Sequence, residues 1–224
     1  PRFEGSKDVL FAVTPLVSLG RVGPEARFTS RNDNVSLAFV DKGAFRAGIT
    51  GKFVWGRDSD KDGLKGVDDV KLGAEAGGFA EIYPTDWLRV RSEVRHGIRS
   101  HNGVVADLAV DAFADLSDTV RLSGGPRVSW ASSDFFDAYY GVSNAEAKAS
   151  GLSPYAPGSG WRSAGVGGAV TWKTTERLNT SVFAEYARLL GPAADSSIVG
   201  ERGSADQFTA GVTASYRFDV LSVP

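Results

Sequence analysis

The sequence predicts an all-β fold, a transmembrane antiparallel up-and-down β-barrel of about ten to twelve strands. Three observations predict it. Most of the chain alternates apolar and polar residues with a period of two, which sorts them onto opposite faces of a strand. The polar face carries full charges in mid-strand, whereas the apolar face carries none. Short connections (around 42, 84, 116 and 174) alternate with long ones (57–69, 97–103, 143–160 and 190–206). Short periplasmic turns and long extracellular loops are the barrel pattern, and a soluble barrel has no reason for the asymmetry. Closure also removes sheet edges, which lipid requires because unpaired backbone groups find no water there.

The last strand, Gln207 to Phe218, shows the alternation most fully. Phe208, Ala210, Val212, Ala214, Tyr216 and Phe218 share one face, and Gln207, Thr209, Gly211, Thr213, Ser215 and Arg217 the other. At about 3.3 Å per residue it spans roughly 40 Å, enough to cross a bilayer with tilt. A half-buried strand of a soluble sandwich could alternate in the same way, so the repetition along the chain decides. Pro1 to Lys7 reads as a loop. Val9 to Leu19 reads as a strand with Pro15 at an edge or bulge. Arg27 to Ser30 reads as a short strand turning at Asn32 to Asn34. Strands follow at 35–39, 45–55, 72–82, 88–95, 104–112 and 120–130, with Phe135 to Tyr140 as an aromatic extension of the last. Two more cover 164–172 and 178–186. If residues 23–41 form one bent strand the total is ten. If they form two it is eleven, and the even number a single-chain barrel needs then implies a strand before Pro1 and twelve in all.

Length and composition fit this reading. The 224 residues suit one domain, 1–224. A net charge of −2 does not suggest a nucleic-acid partner. There is no cysteine, and no apolar run approaches the ~18 residues of a transmembrane helix. The chain begins at Pro1 without Met, as expected of a processed or partial chain.

Two groups of residues are candidates for a functional site. Arg89, Arg91, Glu93 and Arg95 oppose Asp107 and Asp111 on adjacent strands, with Glu75 on the strand before. Cross-strand neighbours lie about 5 Å apart, within ion-pairing reach. These seven residues would form either a selective charged constriction or an electrostatic plug, and the plug is the favoured reading because narrow barrels are filled by side chains. In the loop that follows residue 57, Asp58, Asp60, Asp62, the Leu64 carbonyl and Asp69 fall at positions 1, 3, 5, 7 and 12 of a calcium loop, with Gly63 at the turn. Asp69 stands where Glu is usual and strands flank the loop, so a solvated acidic loop is the simpler reading. No other cofactor is expected. His96 and His101 are the two histidines, and no nucleophile elbow occurs in a strand–turn–helix context, so an enzyme is not expected.

Several segments resemble the MipA/OmpV family. They are Pro1-Arg2-Phe3-Glu4-Gly5-Ser6, Gly56-Arg57-Asp58, Leu64 to Val70, Tyr139-Tyr140-Gly141-Val142-Ser143, Arg188 to Val199, and Tyr216-Arg217-Phe218. The resemblance implies a Gram-negative outer-membrane barrel, set in outer-membrane lipid and lipopolysaccharide, that acts as a non-enzymatic scaffold. Its implied partners are a lytic transglycosylase, a murein synthase or another envelope complex. The alternative is a narrow small-solute or ion channel with an Arg/Asp-lined lumen. The family has no established catalytic residues to carry over. Two departures stand out. Asp219 to Pro224 follow the terminal aromatic residue, and the strand that family members carry before the Pro-x-Phe-x-Gly-Ser stretch is not in this sequence, which favours twelve strands.

Overall fold

A computed structural model describes residues 2–8 and 28–216. Among them, nine strands form one antiparallel sheet in which each strand pairs with the next in sequence. They are β1 (Val35–Lys42), β2 (Phe45–Val54), β3 (Gly73–Thr85), β4 (Leu88–Ile98), β5 (Val104–Ser117), β6 (Val120–Ala131), β7 (Gly160–Lys173), β8 (Leu178–Leu189) and β9 (Asp206–Tyr216). The fold is therefore the expected all-β up-and-down meander. Among the described residues β1 and β9 are its edges, and the sheet is not closed. The strand read at Val9 to Leu19 lies outside the described residues, as do Arg27, Arg217 and Phe218.

The sheet turns its charged side inward. Along β4 every second residue is buried, and those residues include Arg89, Arg91, Glu93 and Arg95. The apolar residues between them, and their counterparts on other strands, are exposed: Val94, Leu108, Val182, Phe53 at 76% and Val212 at 74%. In water each large apolar side chain left exposed forgoes about 1.5–3 kcal/mol of burial. A continuous apolar exterior of this kind marks a surface made for lipid or for a partner. Every tryptophan sits at a strand end. Trp55, Trp130 and Trp161 lie at the end with the long connections, and Trp87 and Trp172 at the end with the short turns, where Tyr216 also lies. Two aromatic belts flanking an apolar band are what the two interfaces of a bilayer select.

The apolar core lies at the long-connection end, where strand ends meet segments that the sequence alone suggests are a strand extension and loops. Residues 135–140 do not extend β6. They form α1 (Ser133–Tyr140), which buries Phe135, Phe136 and Tyr140. The loops 143–160 and 190–206 hold α2 (Asn144–Ser150), α3 (Gly191–Ala194) and α4 (Ser197–Arg202). The aromatics of α1 pack with Val105, Ala131, Leu189 and Val199, while Leu64, Val67, Val142, Leu152 and Ile198 form a second cluster beside them. This apolar cap gives a helix a face to bury that a lipid-facing strand extension would lack.

Residues 2–8 belong to the same cap. Phe3 packs on the second cluster. Gly5 donates its N–H to Gln207 Oε1 (3.2 Å) and accepts at its carbonyl from Ser204 (2.8 Å). It adopts φ +101°, and a Cβ there would lie 2.8 Å from a Val199 methyl carbon. Only glycine meets both conditions, which gives the Pro-x-Phe-x-Gly-Ser stretch a structural reason.

Candidate functional site

Register places the charged residues of β3, β4 and β5 together. Arg89 faces Asp111 and Glu93 faces Asp107 across β4–β5, while Arg91 faces Glu81 across β3–β4. Glu93 and Asp107 are like charges at directly opposite positions, which repel unless a cation lies between them. Arg95 is that cation. It pairs with Glu93, with Asp107 (2.5 Å) and with Glu75 (2.8 Å). Gly77 stands directly opposite Arg95 on β3, where a Cβ would come within 1.9 Å of the Val94 carbonyl oxygen.

The ion pairs run on from there. Arg91 bridges Glu81 (2.9 Å) and Glu93 (2.8 Å), and Glu81 also holds Arg46 of β2 (2.6 Å). Asp111 joins Arg89 (2.6 Å) to Arg127 of β6 (3.0 Å). At the capped end Asp107 reaches Arg162 of β7 (3.5 Å), which approaches Glu4 of the N-terminal stretch (3.6 Å). His101 sits buried against Phe135 and Tyr139. Its Nδ1 accepts from the Gly103 N–H (3.1 Å) and its Nε2 lies 3.2 Å from Glu75. Buried charges persist only when paired and hydrogen-bonded, and here nearly every carboxylate has more than one cation or donor.

A second element completes the interior. Residues 28–34 do not form the strand read at 27–30. They run as an irregular segment along the inner face of the sheet. Phe28 stacks on Phe113 of β5 with ring centroids 4.5 Å apart, and its carbonyl accepts from the Tyr83 hydroxyl (3.3 Å). Asp33 takes two hydrogen bonds from Arg89 and one from the Ser30 N–H. Asn34 donates to Glu93 on β4 (2.7 Å), while Asn32 donates to Glu185 on β8 (2.5 Å) and Arg31 lies over the Phe183 ring (3.8 Å). Strands β4 and β8 are four places apart in the sheet. A segment this short meets both only because the sheet curls around it. The inner face and the segment leave a cavity of about 330 Å³ between them.

All seven charged residues singled out on the strands thus meet on the inner face. The sequence reading missed Asp33, Glu81, Arg127, Arg162, His101 and Glu185 as members of the site. Period-two alternation carried the signal for Glu81, Arg127 and Glu185. Asp33 gave none, because an irregular segment has no period.

The acidic loop is arranged differently from a calcium loop. Asp58 accepts from the Lys61 ammonium (2.5 Å) and backbone N–H (3.2 Å), and the Lys61 hydrogen bond holds its carboxyl below the usual range. Asp69 accepts the Ser59 N–H (2.8 Å), and the Leu64 carbonyl accepts from Val67 (3.0 Å) while the Leu64 side chain is buried in the cap. Asp60 is exposed. Among the described residues no three acidic, histidine or cysteine side chains converge in a way that could hold a metal ion. The loop is tied to α2 by Glu146, which accepts from the Asp68 N–H (2.9 Å) and the Ser143 N–H (2.7 Å). Partial burial works against the charge on Glu146, yet hydrogen bonds from Ser143 and Asp68 prevail and keep its pKa low.

A family model described as MltA-interacting protein MipA matches residues 1–218. The chain belongs to the MipA family. Outer membrane protein OmpV of Vibrio cholerae is 29% identical over 173 residues, which cover 76% of this chain and 64% of that protein. The chain therefore aligns with less than two-thirds of its relative's length. No solved structure matches. The family assignment agrees with the resemblance carried by the cap segments, and those segments are the ones that pack together. Phe3 and Gly5, the 64–70 stretch, Tyr140 and 193–199 all meet at the long-connection end.

Proposed function

We propose that this chain is an outer-membrane barrel with a lumen occupied by its own ion-paired segment, and that it works as a non-enzymatic scaffold for envelope proteins. One observation carries the reading. The 28–34 segment is fastened at Asp33 to β4 and at Asn32 to β8, so the acids that a channel would offer to cations are engaged with donors. The apolar exterior and the tryptophan belts support immersion in a bilayer, and the relative named as an outer membrane protein supports the outer membrane as its place. The long connections and the cap then face outside, and the short turns face the periplasm. The family description names an interaction with MltA, which supports a lytic transglycosylase as the first partner to test, with a murein synthase as the next.

The test is binding of a purified lytic transglycosylase to the barrel in nanodiscs. Saturable binding lost on altering the turns at 86–87 or 174–177 supports docking at the short-turn end. No binding, or binding indifferent to those turns, removes it. A second reading, a narrow solute channel, draws on the cavity beside the inner segment. Displacement of that segment would be its opening step.

A further inference from the structure

The cavity on the inner face has an imbalance that the ion-pair ladder does not explain. Each carboxylate that lines it already receives at least two hydrogen bonds. Glu93 takes them from Arg91, Arg95 and Asn34, and Asp107 from Arg95 and Arg162. Asp33 takes them from Arg89 and Ser30, and Glu185 from Asn32 and Arg31.

The donors are less well served. Lys52 of β2 lines the cavity and stands within electrostatic reach of Glu75 and Asp107, yet its ammonium makes no hydrogen bond or ion pair among the described residues. Arg162 lines it too and meets its carboxylates only at 3.5 and 3.6 Å. Asp107 lies within electrostatic reach of both cations, so they share one part of the interior. An ammonium offers three donors and a guanidinium five, and neither can accept. The Nε of Arg162 and that of Arg127, which also lines the cavity, are buried without an acceptor, and buried donors without acceptors are costly. The unmet demand in this cavity is therefore for an acceptor with negative charge.

We propose that the cavity is a binding site for a small oxyanion, a carboxylate or phosphate group held between Lys52 and Arg162. At about 330 Å³ the space admits a solute of that size together with water. Arg162 offers a planar fork to two oxygens, and Lys52 a point charge to a third. A cationic solute would meet acids that are already paired and cations that repel it. The proposal goes beyond the scaffold reading and stands whether or not a partner protein docks.

The test is isothermal titration of the purified protein in neutral detergent with inorganic phosphate and with acetate, at ionic strength fixed by sodium chloride. Saturable binding of either probe is expected, with phosphate alone marking a phosphate group and acetate alone a carboxylate. Lys52→Gln and Arg162→Gln should each weaken it by about tenfold or more. Lys52→Gln breaks no ion pair, so its melting temperature should match the unmodified protein and its binding loss is then not a folding defect. No saturable binding of either probe, or binding unchanged in Lys52→Gln, overturns the proposal.

Discussion

Asp33 and Arg89 form a two-point ion pair, with Nη1 to Oδ2 at 2.6 Å and Nη2 to Oδ1 at 2.8 Å. It joins an irregular segment to the middle of a nine-strand sheet. The same guanidinium reaches Asp111 on β5 and lies 4.9 Å over the Phe28 ring. A fork-to-fork pair at a buried arginine fixes orientation as well as charge, so the segment has one seat on the inner face.

Asp33→Ala should therefore leave Arg89 with Asp111 but without its tether to the segment. Removing one partner of a buried pair costs about 3–5 kcal/mol, and some of that is returned here because Asp111 remains. Urea unfolding in lipid vesicles should show a loss toward the lower end of that range, and residues near Ser30 should become sensitive to protease. A loss below about 0.5 kcal/mol would mean the segment is held elsewhere.

Arg95 holds three carboxylates at once, Glu75, Glu93 and Asp107. Arg95→Ala leaves Glu93 facing Asp107 with nothing between them, and should cost at least the ~3–5 kcal/mol typical of a broken buried pair. Arg188→Ala removes an exposed pair with Asp206 and should be barely measurable. Equal effects of the two in the same titration would contradict the buried ladder.

The two faces should respond oppositely to charge. Val182→Arg places a cation on the exposed apolar face and should cost about 2–4 kcal/mol near the bilayer midplane. Ser123→Arg adds one to the inner face and should cost much less. Equal tolerance in a folding titration would remove the inside-out assignment.

Glu146 gives the cap a pH dependence of known sign. Its folded pKa is depressed, so the stability it contributes is present above the ordinary carboxylate range and is lost as pH falls through the folded value. Glu146→Ala should loosen α2 and the 58–69 loop by about 0.5–1 kcal/mol at neutral pH, as a lost capping box does. The difference from the unmodified protein should shrink to nothing in acid. A difference that persists there would assign the effect to packing.

For the acidic loop, calcium should leave protease cleavage at Lys61 and Lys65 unchanged, since Asp58 and Asp69 are already engaged. Protection by calcium that Asp60→Ala abolishes would restore the calcium-loop reading made from spacing.

The strands were legible in the sequence because an apolar outer face and a charged inner face impose opposite demands on alternate residues. Val94 and Arg95 could not exchange places. The same alternation puts turns at 41–43 and around 116, close to those seen at 43–44 and 118–119. The cap was not legible. Phe135, Phe136 and Tyr140 suit a lipid-facing strand as well as a buried helix, and the partners that decide between them include Leu189 and Val199, far along the chain. The place of Asp33 was hidden for a similar reason, since its partner Arg89 is set by the curl of the whole sheet rather than by any local pattern.

Single-channel recording in planar bilayers tests directly whether the inner segment occupies the lumen. The unmodified protein should show no stable open state, whereas the double variant Asn32→Ala, Asp33→Ala should show frequent openings, since Asn32 no longer holds Glu185 and Asp33 no longer holds Arg89. A large, steady conductance in the unmodified protein, unchanged in the double variant, would contradict it.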